Sequence, residues 1–131
     1  MLDQDHAFHH RAHAWWAAEA PIWASCPLTE NGVVRILSSA SYSKVTHFTV
    51  SSVVFQLKTF AANTGHAFWE DSLSLLDATR FEHNNILSSK SLTDLYLLAL
   101  AATNGGRLVT FDQGISLSTV SNAQPANLLT L

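Results

Sequence analysis

Between residues 91 and 112 the chain reads SLTDLYLLALAATNGGRLVTFD, and its apolar positions define one element clearly. Leu92, Leu95, Tyr96, Leu98, Ala99 and Ala102 recur at helical spacing. Leu97, Leu100 and Ala101 fill the remaining faces, so the pattern predicts a core helix with little surface for water. Asn104, Gly105 and Gly106 tolerate positive φ where that helix must stop, and residues 107–111 then read as a short buried strand opened by Arg107. Helix, tight turn and strand make half of a parallel α/β unit.

Similar alternation recurs upstream. Residues 5–20 predict an amphipathic helix with Phe8, Ala12, Trp15 and Trp16 inward, ended by Pro21. Residues 22–28 form an apolar run suited to a buried parallel strand, with Pro27 near its end, where a missing N–H matters least. Thr29 is placed to cap a following helix that carries Val33, Val34, Ile36, Leu37 and Ala40. Residues 40–49 read as a loop, and Ser51 or Ser52 as the cap of a helix turning Val53, Val54, Leu57, Phe60 and Ala61 to the core. Asn63, Thr64 and Gly65 close it. A short strand is predicted at 72–76, an irregular polar stretch at 81–90 anchored by Ile86 and Leu87, and a last edge strand at 128–131.

Composition narrows this picture. A chain of 131 residues suits one domain with a core of ordinary size. With 47% hydrophobic and only 13% charged residues, it is expected to leave an apolar patch that needs a partner, and so to form an oligomer or an obligate complex. No apolar run reaches the roughly 20 residues of a membrane span. The opening MLDQDHAFHHRAH is unlike a signal peptide, so the expected location is the cytoplasm. Cys26 has no partner for a disulfide, and its setting in IWASCPL predicts a small buried side chain.

The formal charge of −3, with seven Lys and Arg, argues against holding nucleic acid on a broad basic surface. It leaves a nuclease open, because bound divalent ions turn an acidic patch into a phosphate receptor. His6, His9, His10 and His13 share one helical face and could capture zinc or nickel, but no Cys or carboxylate at ligand spacing completes a site there. A glycine-rich phosphate loop, a GxSxG elbow, a CxxC pair and an HExxH helix are all missing from the sequence, so nucleophilic catalysis has no visible candidate.

What remains is a set of acids at the ends of elements. Glu30 stands where a strand gives way to a helix, the usual ligand position in open α/β sheets, though it also suits the helix dipole. Asp94 fits a Ser-x-x-acid capping pattern with Ser91, Asp112 suits a turn, and Asp77 suits either a turn or a fourth place in the site. Taken jointly, Glu30, Asp94 and Asp112 can converge at one sheet edge, where repulsion would be severe unless a cation sat between them. Hard oxygen ligands of this kind suit Mg²⁺ or Mn²⁺.

The ordered segments HHRAHAWW, CPLTENGVVRIL, SLTDLYLLALA and LVTFD carry a resemblance to the PIN domain family, and within it to the VapC-type toxins of toxin-antitoxin pairs. The resemblance spans nearly the whole chain. It implies a single PIN-like domain over 1–131: a three-layer α/β/α fold with a parallel sheet. The implied activity is metal-dependent RNA phosphodiester hydrolysis, with Mg²⁺ or Mn²⁺ held by Glu30, Asp94 and Asp112, and with Thr110 and Asn31 as supporting polar groups. Arg35, Lys44 and Arg107 are the cations expected to meet RNA. The implied partners are a VapB-type antitoxin and a second copy of the chain.

The family pattern opens with a strand of the form LLDxN bearing a first aspartate, and this sequence resembles it only from the loop after that strand. Asp3 and Asp5 lie in the wrong segment to replace that aspartate. The expectation is therefore an N-terminally incomplete domain with its first strand missing, and the alternative function is an inactive PIN-like protein that keeps the dimer and antitoxin surfaces.

Overall fold

The computed structural model describes residues 9–39, 41–42 and 47–131, with nothing specified for the His9 side chain. The chain divides into two compact units, one formed by Ala18–Asp71 and the other by 1–17 with 72–131. Both contain parallel strand pairs and helices, which bears out the α/β reading.

In the unit formed by 18–71, strand β1 (Trp23–Ser25) leads into helix α2 (Pro27–Leu37), followed by α3 (Val50–Ala62) and β2 (His66–Phe68). β1 and β2 pair in parallel, Trp23 opposite His66 and Ser25 opposite Phe68. The expected strand over 22–28 is shorter than its apolar run: Ile22 is 85% exposed, and the chain turns helical at Pro27. Proline suits that first helical position, where its missing N–H costs nothing and its φ is already set. Cys26, not Thr29, is the N-cap residue. Thr29 works backwards instead, its Oγ1 accepting from the Cys26 N–H at 2.9 Å and donating to the Cys26 carbonyl at 3.0 Å.

The α3 cap is likewise upstream of the serines expected for it. Thr49 Oγ1 accepts from the Ser52 N–H at 3.0 Å. Of the residues expected on its core face, Val53 is buried, whereas Val54 and Phe60 are exposed. Helical spacing marks an apolar stripe but does not say how much of it finds a neighbour.

The other unit holds most of α1 (His9–Glu19), then α4 (Leu92–Thr103), β3 (Leu108–Thr110) and β4 (Leu128–Thr130). Leu95, Leu98, Ala99, Leu100 and Ala101 of α4 are buried, as the all-apolar pattern predicts. Phe81, Ile115 and Val120 join Leu95, Leu98 and Ala99 in one core cluster. The helix ends at Asn104, with the Gly106 N–H reaching the Ala101 carbonyl at 2.8 Å and the Gly105 N–H directed at that of Ala102. Gly105 takes φ +69, so the NGG sequence supplies the left-handed residue that this Schellman ending requires. β3 and β4 pair in parallel, Leu108 opposite Leu128, which realises the expected last strand.

The strand predicted at 72–76 does not form; that segment is irregular, and the strand lies earlier, at His66–Phe68. Ile86 packs on the core cluster as an anchor, but Leu87 is 92% exposed. Two neighbouring apolar residues in an extended segment point opposite ways, so both rarely face one core.

Candidate functional site

Asp94 lies in the first turn of α4 and is half-buried. The capping role suggested by Ser91-x-x-Asp94 is not realised, because Ser91, the last residue of a 3₁₀ turn over Ser89–Ser91, makes no side-chain cap bond. The hydroxyl cap sits one turn earlier, where Ser88 Oγ accepts from the Lys90 N–H. The Asp94 carboxyl is pushed above its ordinary range, first by burial and second by the charge of Asp112. A carboxylate in this setting gains from a nearby positive charge.

Asp112 follows β3 and is exposed. Its Oδ1 accepts from the Gly114 N–H at 2.8 Å, so it does form the expected turn. Thr110, at the end of β3, accepts from the Asp112 N–H through Oγ1 at 3.0 Å. The strand thus delivers Asp112, Thr110 fixes its backbone and Gly114 steadies one carboxylate oxygen. A Cβ added at Gly114 would lie 3.2 Å from that oxygen, so glycine lets the turn approach closely.

Glu30 occupies the first turn of α2, and β1 supplies its neighbour. Ser25 Oγ donates to Glu30 Oε2 at 2.6 Å, and the same Oγ lies 2.8 Å from His66 Nε2 on β2. Ser25 has one proton and gives it to Glu30, which leaves the tautomer of His66 that donates from Nε2 to Ser25 Oγ as the one that completes both contacts. That order rules out His66 as a base towards Ser25, and the three residues are not a nucleophilic triad. The His66 ring packs on Trp23, with centroids 4.3 Å apart, while Trp23 Nε1 donates to Thr64 Oγ1 at 2.7 Å. Ser25, Glu30 and His66 line a mostly apolar pocket of about 630 Å³ with Trp23, Val34 and Leu57.

Asn31 also lines this pocket and is exposed, as is Arg35 in the last turn of α2. Arg107 is exposed, with its guanidinium 5.8 Å from the centre of the Trp15 ring. Lys44, Asp3 and Asp5 lie outside the described residues, as do His6 and the His9 side chain. Asp77 is a turn residue: its Oδ1 accepts from the Thr79 N–H and hydroxyl, and these bonds hold its carboxyl below the ordinary range, the hydroxyl contributing most. Cys26 is buried, as its apolar setting predicts. Among the described residues, no three or more His, Cys, Asp or Glu side chains are grouped to hold a metal ion. Asp94 and Asp112 interact within one unit, and Glu30 stands in the other.

The sequence did not single out Ser25 or His66 as neighbours of Glu30. A hydroxyl inside the apolar run IWASCPL, one position before the helix cap, was the available signal. His66 gave none, because it follows Gly65 in a segment whose strand lacks apolar alternation.

Ribonuclease VapC44 of Mycobacterium tuberculosis is 39% identical over 132 aligned positions, spanning all of this chain and 92% of that protein. The chain belongs to the VapC ribonuclease family. From the same organism, ribonuclease VapC39 is 35% identical over 86% of this chain and 81% of its own length, and ribonuclease VapC38 is 36% identical over 96% and 88%. No family model matches the chain, and no solved structure does. Membership in the VapC family implies a PIN-like α/β fold and a divalent metal cofactor. The donor chemistry fits such a cation in part: Asp94 and Asp112 are interacting carboxylates whose repulsion a hard divalent ion would offset. Among the described residues, no helix is long and apolar enough to cross a membrane.

Proposed function

We propose that this chain is an endoribonuclease toxin that hydrolyses RNA phosphodiester bonds with Mg²⁺ or Mn²⁺, held by Asp94, Asp112 and Glu30. The observation carrying this reading is the state of Asp94 in a chain of the VapC family. Its carboxyl serves no helix cap and is raised by burial and by Asp112. An acid left in that condition is an unfavourable feature of the empty protein and a favourable one once a cation arrives.

A bound divalent ion supplies an activated water and stabilises charge on the reacting phosphate. The chain's own residues have distinct tasks. Asp94 provides a half-buried carboxylate from a rigid core helix, and Asp112 a second one, whose turn is set by Thr110 and Gly114. Glu30 provides the third, braced by Ser25. Asn31 supports the same edge of α2, and Arg35, Lys44 and Arg107 meet RNA phosphates. A cognate VapB-type antitoxin restrains the activity in the cytoplasm, and the chain works as a homodimer within a single PIN-like domain over 1–131.

The test is cleavage of a mixed RNA substrate by the purified chain, with Mg²⁺, with Mn²⁺ and with a chelator, beside Asp94→Asn and Asp112→Asn. Metal-dependent cleavage that each substitution reduces about a hundredfold or more supports the reading. Equal background cleavage in all three proteins, with or without metal, overturns it.

A further inference from the structure

We infer that Ser25 and His66 are positioning residues that fix the Glu30 carboxylate for cation binding, an inference that rests on the metal-binding role of Glu30 proposed above. Glu30 projects from the first turn of α2 beside a mostly apolar pocket. Thr29, Asn31 and Lys58 line the same pocket, and a glutamate has three rotatable side-chain bonds to restrain. Ser25 supplies the restraint through a bond of 2.6 Å to Oε2. Because Oε2 alone is engaged by Ser25, Oε1 keeps its capacity to accept or to ligate.

The Ser25 hydroxyl is itself oriented. A free serine can rotate its proton among several acceptors, but here the His66 Nε2–H occupies the oxygen's acceptor side and directs the Ser25 proton to Glu30. His66 is held in turn by its place in the β1–β2 ladder. Trp23 lies opposite it, and Ser25 is two residues further along the same face of β1. The His66 ring, packed at 4.3 Å on Trp23, therefore leans along the strand towards Ser25. Trp23 is fixed by Thr64 and by Phe60, whose ring centre lies 5.3 Å away. The order is Trp23, His66, Ser25, Glu30, each side chain restricting the next. Partners of ligating carboxylates act in this way at metal sites, and their loss reduces metal affinity or activity roughly 10- to 100-fold.

The variants separate a hydrogen bond from mere packing. Ser25→Ala removes the hydroxyl and Ser25→Thr keeps it; His66→Phe keeps a ring against Trp23 without the donor, and His66→Gln keeps a donor without the ring. Each is made in the full chain, and Mn²⁺ affinity is measured by calorimetric titration beside the thermal midpoint. Ser25→Ala and His66→Phe are expected to weaken Mn²⁺ binding about 10- to 100-fold. Ser25→Thr and His66→Gln are expected to restore most of it. If Ser25→Ala does not fold, the pair His66→Phe and His66→Gln makes the same measurement.

Glu30→Gln distinguishes the two ways of failing. Should it weaken Mn²⁺ binding while Ser25→Ala and His66→Phe bind like the parent protein, the positioning role is overturned and the metal role of Glu30 stands. Should Glu30→Gln itself bind Mn²⁺ like the parent, the underlying reading fails at Glu30 and the inference falls with it. A loss of affinity that follows the thermal midpoint, and that neither Ser25→Thr nor His66→Gln restores, also overturns it.

Discussion

The two units hold their acids by different physics. Around α4, order comes from apolar burial: Phe81, Leu95, Leu98, Ile115 and Val120 are closed off from water, and Asp94 sits at the margin of that core. Around α2, only Cys26 and Val53 of the unit's described hydrophobic residues are buried, and Glu30 is joined to Ser25 and His66 by a hydrogen-bonded series. The two acids therefore have different surroundings. Burial raises the Asp94 carboxyl, because a low-dielectric margin disfavours charge and Asp112 adds repulsion. Glu30 instead accepts a hydrogen bond of 2.6 Å from the Ser25 hydroxyl. The apolar helix α4 therefore carries an acid pressed by burial and by a second acid, and α2 carries an acid braced by a neighbouring hydroxyl.

The largest effect should come from weakening the apolar side of this contrast. Leu98 is fully buried within the core cluster, so Leu98→Ala is expected to cost about 2–5 kcal/mol, read from denaturant unfolding. Amide hydrogen exchange should show the same asymmetry without mutation, with α4 amides slower than those of α3. Comparable protection in both helices would remove the distinction.

Asp94→Asn comes next and moves two quantities in opposite directions. Cleavage should fall about a hundredfold or more. Stability at neutral pH should rise in metal-free buffer, because the folded protein no longer has to ionise a carboxyl whose titration lies above the ordinary range. The sign follows from linkage. A raised carboxyl contributes stability that is fully present below its unfolded value and is lost as pH rises through its folded value. The thermal advantage of Asp94→Asn should thus disappear below about pH 4, where wild-type Asp94 is protonated in both states.

Glu30→Gln sharpens the comparison because its stability effect carries the other sign. Replacing the carboxylate weakens a charge-assisted bond from Ser25, so a loss of about 1 kcal/mol is expected, alongside reduced cleavage. A gain in thermal midpoint like that of Asp94→Asn would show that the two acids share one kind of environment. The smallest change is Gly105→Ala. No atom lies within 4 Å of the added methyl, so only the φ of +69 opposes it, and the expected cost is about 1 kcal/mol with cleavage unchanged.

The apolar run of α4, its NGG ending and the positions of Glu30, Asp94 and Asp112 at element starts or ends were legible in the amino-acid order, because helical periodicity and turn chemistry are local. Family motifs in that same order placed the chain among the VapC ribonucleases. Local pattern also misled where several outcomes were compatible with it. Pro27 could close a strand or open a helix, and Ser91 could cap α4 or precede it in a 3₁₀ turn. Only the tertiary structure decided that Asp94 is left without a cap and pressed by Asp112, and that Glu30 is braced by Ser25 and His66. Ser25 and His66 are 41 residues apart, and they meet because β1 and β2 pair in one parallel register. Sequence patterns report what each segment prefers; which donor reaches which acid depends on strand pairing and burial, and those are properties of the folded chain.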